Sequence, residues 1–230
     1  MRVATDIGGT FTDLVFFEYD KKNKEVTNVK VSNSSTTPGE FEKGILNTIK
    51  KIDLDLKTIE FFAHGTTVVI NAITERKGSK TALITTQGFR DVLEIARGTR
   101  PDLYNFNFEK QEPFVKRYLR KEVKERINYL GEVVTPLDTN NIETLIEHFI
   151  SEGVESIAIC LLHAYKNPIH EKQLSEVIKA KYPNIEGITS HEVTRDWREY
   201  ERTSPPVLSA YVKPIPIKYL NNLYPHMTNS

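Results

Sequence analysis

The alternation of apolar and polar positions divides the chain into two kinds of segment. Val3 to Ile7, Asp13 to Phe17 and Val26 to Val31 carry the period-two pattern of strands, separated by short polar or glycine-bearing turns, which predicts an antiparallel meander. The stretch TTPGEFEKGILNTIKKID then switches to helical spacing. Thr37 suits an N-cap, Pro38 the first helical position and Glu40 a capping box, with Phe41, Ile45 and Ile49 as the buried stripe. Strand and helix alternate from there: a strand at Ile59 to Ala63, a helix from Thr66 to Arg76 closed by Gly78, a strand at Lys80 to Thr85, and a helix from Phe89 to Ala96.

Between Arg97 and Pro113 the polar and aromatic run RGTRPDLYNFNFEKQEP is too irregular for a helix and long enough to be a functional loop. Val123, Glu125, Ile127 and Val133 to Thr135 then suit a hairpin turning over Asn128 to Gly131. LDTNNIETLIEHFISEGV is the clearest helix, capped by Asp138, with Ile142, Leu145, Ile146, Phe149 and Ile150 on one face and Gly153 at its end. Ser156 to Leu162 is a near-continuous apolar run of the kind found in central strands. Asn167-Pro168 opens a helix to about Lys181, a short strand follows near Ile188, and a last helical segment begins after Arg202, with Pro205 and Pro206 accommodated in its first turn. The segment YVKPIPIKYLNNLYPHMTNS stops soon after a helix begins, which raises the expectation of a truncated or split protein.

Composition narrows the partners more than the fold. Among 230 residues, Lys plus Arg and Asp plus Glu number 31 each, so no basic field suggests a nucleic acid. No apolar run is long enough for a membrane-spanning helix, and the polar turn after MRVATDI comes too early for a signal-peptide core, so a cytoplasmic protein is expected. The single cysteine, Cys160, lies in SIAICLLHAY and reads as a buried thiol, consistent with a reducing compartment. His163, His170 and His191 are too scattered for a zinc site, His148 falls on the polar face of its helix, and no HExxH or CxxC motif occurs.

The turn in RVATDIGGTFTD carries the candidate chemistry. Gly8 and Gly9 let backbone N–H groups approach a phosphate and admit the dihedrals of a tight anion nest, while Thr10 and Thr12 add hydroxyls. Asp6 would repel a phosphate directly, so it would act through Mg2+; Asp13 could do the same or orient Thr10. No helix follows the glycines, so the turn is neither a Walker A loop nor a GxGxxG fingerprint.

The order strand, Asp, Gly-Gly-Thr, Thr-Asp, strand resembles the first phosphate motif of the actin, hexokinase and Hsp70 ATPase superfamily. AHGTTVVINAITERKGSKTALITTQGFRDVLEIARGTRPDLY, from Ala63 to Tyr104, resembles the hydantoinase A and 5-oxoprolinase family, which includes β-type subunits of acetone and acetophenone carboxylases. DIGGTFTD, CLLHAYKNPIHE from Cys160 to Glu171, and SHEVTRDWREYERTSPPVLSAYV from Ser190 to Val212 agree with that family, so four separated motifs span nearly the whole chain. The resemblance implies an α/β fold: a ribonuclease-H-like, actin-type ATPase lobe with a mixed sheet that starts with a three-strand antiparallel meander and has helices on both faces. It implies a lobe over residues 1–200, with a smaller insertion around 97–136, and the start of the following hydantoinase A domain over residues 201–230.

His64-Gly65-Thr66-Thr67 falls where the pattern gives way from strand to helix. Gly65 permits close approach, Thr66 and Thr67 offer hydroxyls beside free helix N–H groups, and His64 could serve as acid, base or donor near neutral pH. The same residues also read as a plain helix cap and a satisfied strand-end histidine; the resemblance favours a site. Asn71 is open between a cleft-facing and a solvent-facing position, and Arg97 and Arg100 between a carboxylate or phosphate clamp and a solvated loop. The mixed-sign run Arg195, Asp196, Arg198, Glu199, Glu201 and Arg202 is expected to form an interdomain face.

As a whole, the resemblance implies the nucleotide-binding lobe of an ATP-dependent cyclic amidohydrolase, with ATP and Mg2+ as cofactors. Its substrate would be a small cyclic amide, and a second lobe or partner subunit would complete the cleft in an oligomer. A subunit of an ATP-dependent ketone carboxylase and a non-catalytic chain that needs a partner are the alternatives.

Overall fold

The computed structural model describes residues 1–99 and 102–228. The chain divides into two compact units, one formed by Met1–Lys77 and the segment from Ile215 onward, the other by Gly78–Pro214.

The first unit begins with the expected meander. β1 (Arg2–Ile7), β2 (Phe11–Asp20) and β3 (Glu25–Ser35) pair antiparallel, and β4 (Phe61–Thr66) joins the free side of β1 in parallel, giving the order β3-β2-β1-β4. The β2–β3 turn is closed by Asp20 Oδ1, which accepts from the N–H groups of Lys22 (2.8 Å) and Asn23 (3.3 Å). Alternation sends Val3, Ile7, Leu14 and Phe16 into a core with Ile45 and Ile49 of α1 (Phe41–Lys51) and Tyr219 and Leu223 of α8 (Pro214–Thr228). The other face of the sheet carries Asp6, Asp13, Val15 and Val31, all exposed.

α1 starts four residues later than Thr37. Gly39 takes φ +82°, which breaks the helical path, and the Thr36 N–H is engaged by the Thr10 carbonyl at 2.9 Å, so the segment before Phe41 is held as a turn. Glu40 forms an ion pair with Lys43 at 2.6 Å instead of completing a capping box. β4 likewise runs through His64, Gly65 and Thr66, leaving Thr67 as the N-cap of a short α2 (Val68–Thr74).

The second unit is built on a parallel sheet of order β10-β9-β5-β6, from β5 (Thr81–Thr86), β6 (Arg120–Val123), β9 (Ser156–Cys160) and β10 (Glu186–Thr189). The hairpin over Asn128 to Gly131 is present as β7 (Arg126–Ile127) and β8 (Val133–Thr135). α5 (Ile169–Lys181) and α7 (Glu199–Val212) lie on opposite faces. Ile178 packs toward Gly187 in register with Ile157, while Ser156 Oγ on the other side donates to the Ala210 carbonyl at 2.7 Å.

Three helices depart from their expected limits. α3 is only Val92–Ile95, because Ala96 turns the chain at φ 51°. α4 (Ile142–Ser151) is preceded by Asn141, and the Asp138 side chain accepts from the Asn140 N–H at 3.1 Å rather than capping the helix. α7 begins before Arg202 and carries Pro205 and Pro206 in its second turn, where the Thr203 and Ser204 hydroxyls donate to the carbonyls four residues back, at 2.6 and 2.9 Å. α6 (Ser190–Val193) completes the helices. Among the described residues, no helix is long and apolar enough to cross a membrane.

Candidate functional site

The site is assembled on the exposed face of the first unit's sheet. Asp6 lies directly across the β1–β2 ladder from Asp13, and across the β1–β4 ladder from Gly65. Residues paired in this way point to the same side, so two exposed carboxylates stand next to each other. Neither has a hydrogen bond or ion pair among the described residues. Gly65 keeps the space beside Asp6 open, since a Cβ there would lie 3.3 Å from Asp6 Oδ1.

The turn next to them is fixed by its own backbone. The Gly8 N–H donates to the Phe11 carbonyl at 2.9 Å, whereas the Gly9 and Thr10 N–H groups find no acceptor among the described residues. Neither glycine has a positive φ, so the expected dihedral argument does not apply. They are needed for space: a Cβ on Gly8 would lie 3.1 Å from the Phe11 carbonyl, and one on Gly9 would lie 3.1 Å from Asn71 Nδ2. The Asn71 amide therefore overhangs the turn, and it also donates to Thr67 Oγ1 at 3.3 Å.

Thr10 is exposed at the tip of the turn, while Thr12 is wholly buried and cannot meet a ligand. Its hydroxyl pairs with Thr36 Oγ1 at 3.1 Å, and Thr36 Oγ1 donates to the Gly8 carbonyl at 3.0 Å, so these two threonines brace the turn from behind. α1 can approach them because Gly44 has no side chain; a Cβ there would lie 2.5 Å from Thr12 Oγ1. Thr36 and Gly44 escaped sequence reasoning, and only the glycine inside a helical pattern signalled a close approach.

The HGTT residues serve different purposes. The Thr67 N–H donates to the Ile7 carbonyl at 3.0 Å, and the Val68 N–H to Thr66 Oγ1 at 3.1 Å. The Thr66 and Thr67 hydroxyls reach the same Ile7 carbonyl at 3.3 and 3.4 Å, which ties the β4–α2 junction to the end of β1. His64 neighbours Gly65 along the strand and so faces the opposite side of the sheet from Asp6 and Asp13. Its ring nitrogens lie 2.9 Å from Thr5 Oγ1 and 3.0 Å from Tyr219 Oη. Burial holds its pKa below the ordinary histidine value, with the Asp6 charge opposing.

Arg97 belongs to the second unit. There it lines an open groove with Arg90, Ala96 and Arg198, and its Nε donates to Glu201 at 2.7 Å, so an incoming anion would have to displace that carboxylate. Arg100 lies outside the described residues. Elsewhere in this unit, Cys160 is buried and its thiol pKa is pushed up by burial, as suits a structural residue.

No group of three or more His, Cys, Asp or Glu side chains suited to a metal occurs among the described residues. Two adjacent carboxylates on an exposed face, beside unpaired backbone N–H groups, instead suit Mg2+, which keeps most of its waters and takes one or two protein carboxylates plus phosphate oxygens.

Comparison with known proteins places the chain in a family. The family model described as the hydantoinase/oxoprolinase N-terminal region matches residues 2–182. An uncharacterised protein of Methanocaldococcus jannaschii is 43% identical over 99% of this chain and 33% of its own length. The caprolactamase subunit alpha of Pseudomonas jessenii is 32% identical over 96% of this chain and 32% of its own length. The acetophenone carboxylase gamma subunit of Aromatoleum aromaticum is 31% identical over 92% of this chain and 31% of its own length. Among solved structures, the ATP-dependent caprolactamase from Pseudomonas jessenii superposes with a TM-score of 0.81 at 28% identity, covering 99% of this chain and 33% of that one. The chain thus spans about a third of the length of these relatives. With the meander, the parallel fourth strand and the family match in agreement, the chain is a member of the hydantoinase/oxoprolinase N-terminal region family, with the mixed α/β fold of an actin-type ATPase lobe.

Proposed function

We propose that this chain is the nucleotide-binding lobe of an ATP-dependent enzyme that opens a small cyclic amide. The observation that carries the reading is the unpartnered Asp6–Asp13 pair beside the Gly8-Gly9-Thr10 turn. Bound Mg-ATP would supply a phosphoryl group that converts a resistant amide oxygen into a better leaving group. Asp6 and Asp13 would hold Mg2+, which would offset the negative charge of the phosphates. The Gly9 and Thr10 N–H groups and the Asn71 amide are donors for phosphate oxygens, pre-set by the Thr12–Thr36 brace. His64 is a positioning residue, because both its ring nitrogens are engaged on the other face of the sheet. Gly65 leaves room beside Asp6, and Thr66 and Thr67 anchor the junction that presents Asn71. Arg97 and Arg100 are candidates for a substrate carboxylate or phosphate. A second lobe or partner subunit completes the cleft, in keeping with the third of its relatives' length that the chain spans.

In the enzyme reconstituted with the rest of the family's length, Asp6→Ala should cut Mg-ATP-dependent turnover by about a hundredfold or more while leaving the circular dichroism spectrum unchanged. Turnover at the wild-type level would sink the assignment. A ketone carboxylase is the second reading, favoured by an acetophenone carboxylase subunit that is 31% identical, close to the caprolactamase subunit's 32%. ATP cleavage assayed with caprolactam, hydantoin and 5-oxoproline, and separately with small ketones plus bicarbonate, separates the two.

A further inference from the structure

The reverse side of the sheet carries a line of polar groups in an otherwise apolar core. Tyr219, contributed by α8, is almost wholly buried among Val3, Ile7, Ile45 and Val68. Its hydroxyl lies 3.0 Å from His64 Nε2, and His64 Nδ1 lies 2.9 Å from Thr5 Oγ1. Thr66, two residues further along β4, faces the same side of the sheet as His64. Aromatic packing fixes the orientation: the His64 ring stacks on Phe62 at 6.3 Å, Tyr219 meets His64 edge-on at 5.7 Å, and Phe41 of α1 meets Tyr219 edge-on at 5.9 Å.

We propose that Tyr219 is a positioning residue for the phosphate turn: through His64 it fixes the end of β4 and with it the β4–α2 junction, and so couples nucleotide binding on one face of the sheet to the docking of α8 on the other. Thr5 and His64 are a registered pair on β1 and β4, adjacent in each strand to Asp6 and Gly65. Holding the first pair therefore sets the spacing of the second. The Thr66 hydroxyl caps the Val68 N–H, and Asn71, one turn along, lies over Gly9, where a Cβ would come within 3.1 Å of its Nδ2. A neutral imidazole offers one donor and one acceptor, one for each flanking hydroxyl, so removing either hydroxyl leaves a ring nitrogen of the half-buried His64 unpaired. Coupling of this kind is reciprocal: what loosens α8 weakens the nucleotide, and the nucleotide tightens α8.

The inference rests on the turn being a phosphate site, so the test separates the two claims. Tyr219→Phe keeps the ring and its packing but removes the hydroxyl. Hydrogen exchange resolved by residue should show the Gly8 and Thr67 amides exchanging about threefold to tenfold faster, with the amides of β3 and α1 unchanged. The Mg-ATP dissociation constant should rise by a similar factor. His64→Gln retains an amide that can reach the Tyr219 hydroxyl and should fall between wild type and His64→Ala. Adding Tyr219→Phe to His64→Ala should cause no further loss. Exchange that stays unchanged at Gly8 and Thr67, or speeds up uniformly through the first unit, would overturn the proposal. If Asp6→Ala removes Mg-ATP binding while Tyr219→Phe leaves it intact, the coupling fails and the phosphate site stands. If Asp6→Ala leaves binding intact, the functional reading on which the coupling depends falls with it.

Discussion

His64 and Gly65 are adjacent in sequence yet serve opposite faces of one sheet, because β4 continues through both and its side chains alternate. That single fact moves the histidine from the chemistry to the scaffold. Its depressed pKa gives the assignment a measurable consequence. Above about pH 6.5 the ring is neutral in both folded and unfolded chains; below that value the unfolded chain takes up a proton that the folded site resists, so stability is lost as pH falls through the lower folded value. Thermal midpoints measured from pH 8 to pH 4.5 should therefore fall more steeply for wild type than for His64→Gln, narrowing the gap between them. His163, whose pKa burial also lowers, contributes equally to both proteins and cancels in the difference. A gap that stays constant across the range would show that His64 is not held neutral by its surroundings.

At the scale of elements, the turn depends on how closely α1 approaches β2. A Cβ at Gly44 would overlap Thr12 Oγ1 at 2.5 Å, and Ser34 Oγ donates to the Gly44 carbonyl at 2.9 Å, so the helix cannot slide without breaking a buried bond. Gly44→Ala would gain about 1 kcal/mol of helix propensity, but overpacking at a buried β-branched side chain costs about 1–3 kcal/mol, so net destabilisation is expected. Because Thr12 braces Thr36 and Gly8, the same variant should also weaken Mg-ATP binding; a variant as stable as wild type would show that α1 has room to move. The meander, the β7–β8 hairpin and the apolar run of β9 were legible because each follows a local period or turn signal. The starts of α1 and α7 were not. α1 is delayed by a long-range bond from Thr36 to Thr10, and α7 starts at Glu199 and continues through Pro205 and Pro206, which local pattern confines to a first turn. In the proposed site, residue type was enough to single out Asp6, Asp13 and the two glycines, but not the reason for the glycines, which is space and not a positive φ. The side chosen by His64 depended on where β4 ends, and Asn71 on a tertiary approach that no local pattern encodes.

At the scale of the whole molecule, no shift of composition marks Lys77–Gly78 or Pro214–Ile215, yet each unit holds its own core: Val3 to Val68 with Tyr219 and Leu223 in one, Ala82 to Ala210 in the other. The second core contains a polar centre built on Glu171, which is fully buried. One carboxylate oxygen accepts from the Leu161 N–H at 2.9 Å and Ser190 Oγ at 2.6 Å; the other accepts from the His191 N–H at 3.0 Å and lies 2.7 Å from His191 Nδ1. Arg202, also buried, reaches Ser190 Oγ at 2.8 Å and Cys160 Sγ at 3.3 Å, and it sits 3.9 Å from the same carboxylate. Glu171→Ala would strand the guanidinium without its counter-charge and leave the Leu161 N–H unpaired, a loss of about 3–5 kcal/mol. Because the two cores are built from separate residues, that loss should fall on one of them. Deuterium uptake should rise across β5, β9 and β10 while β1, β2 and β4 keep their protection. Equal loss in both units would mean that they fold as one cooperative body, with the Gly8-Gly9-Thr10 turn drawing its rigidity from a core to which it contributes no residue.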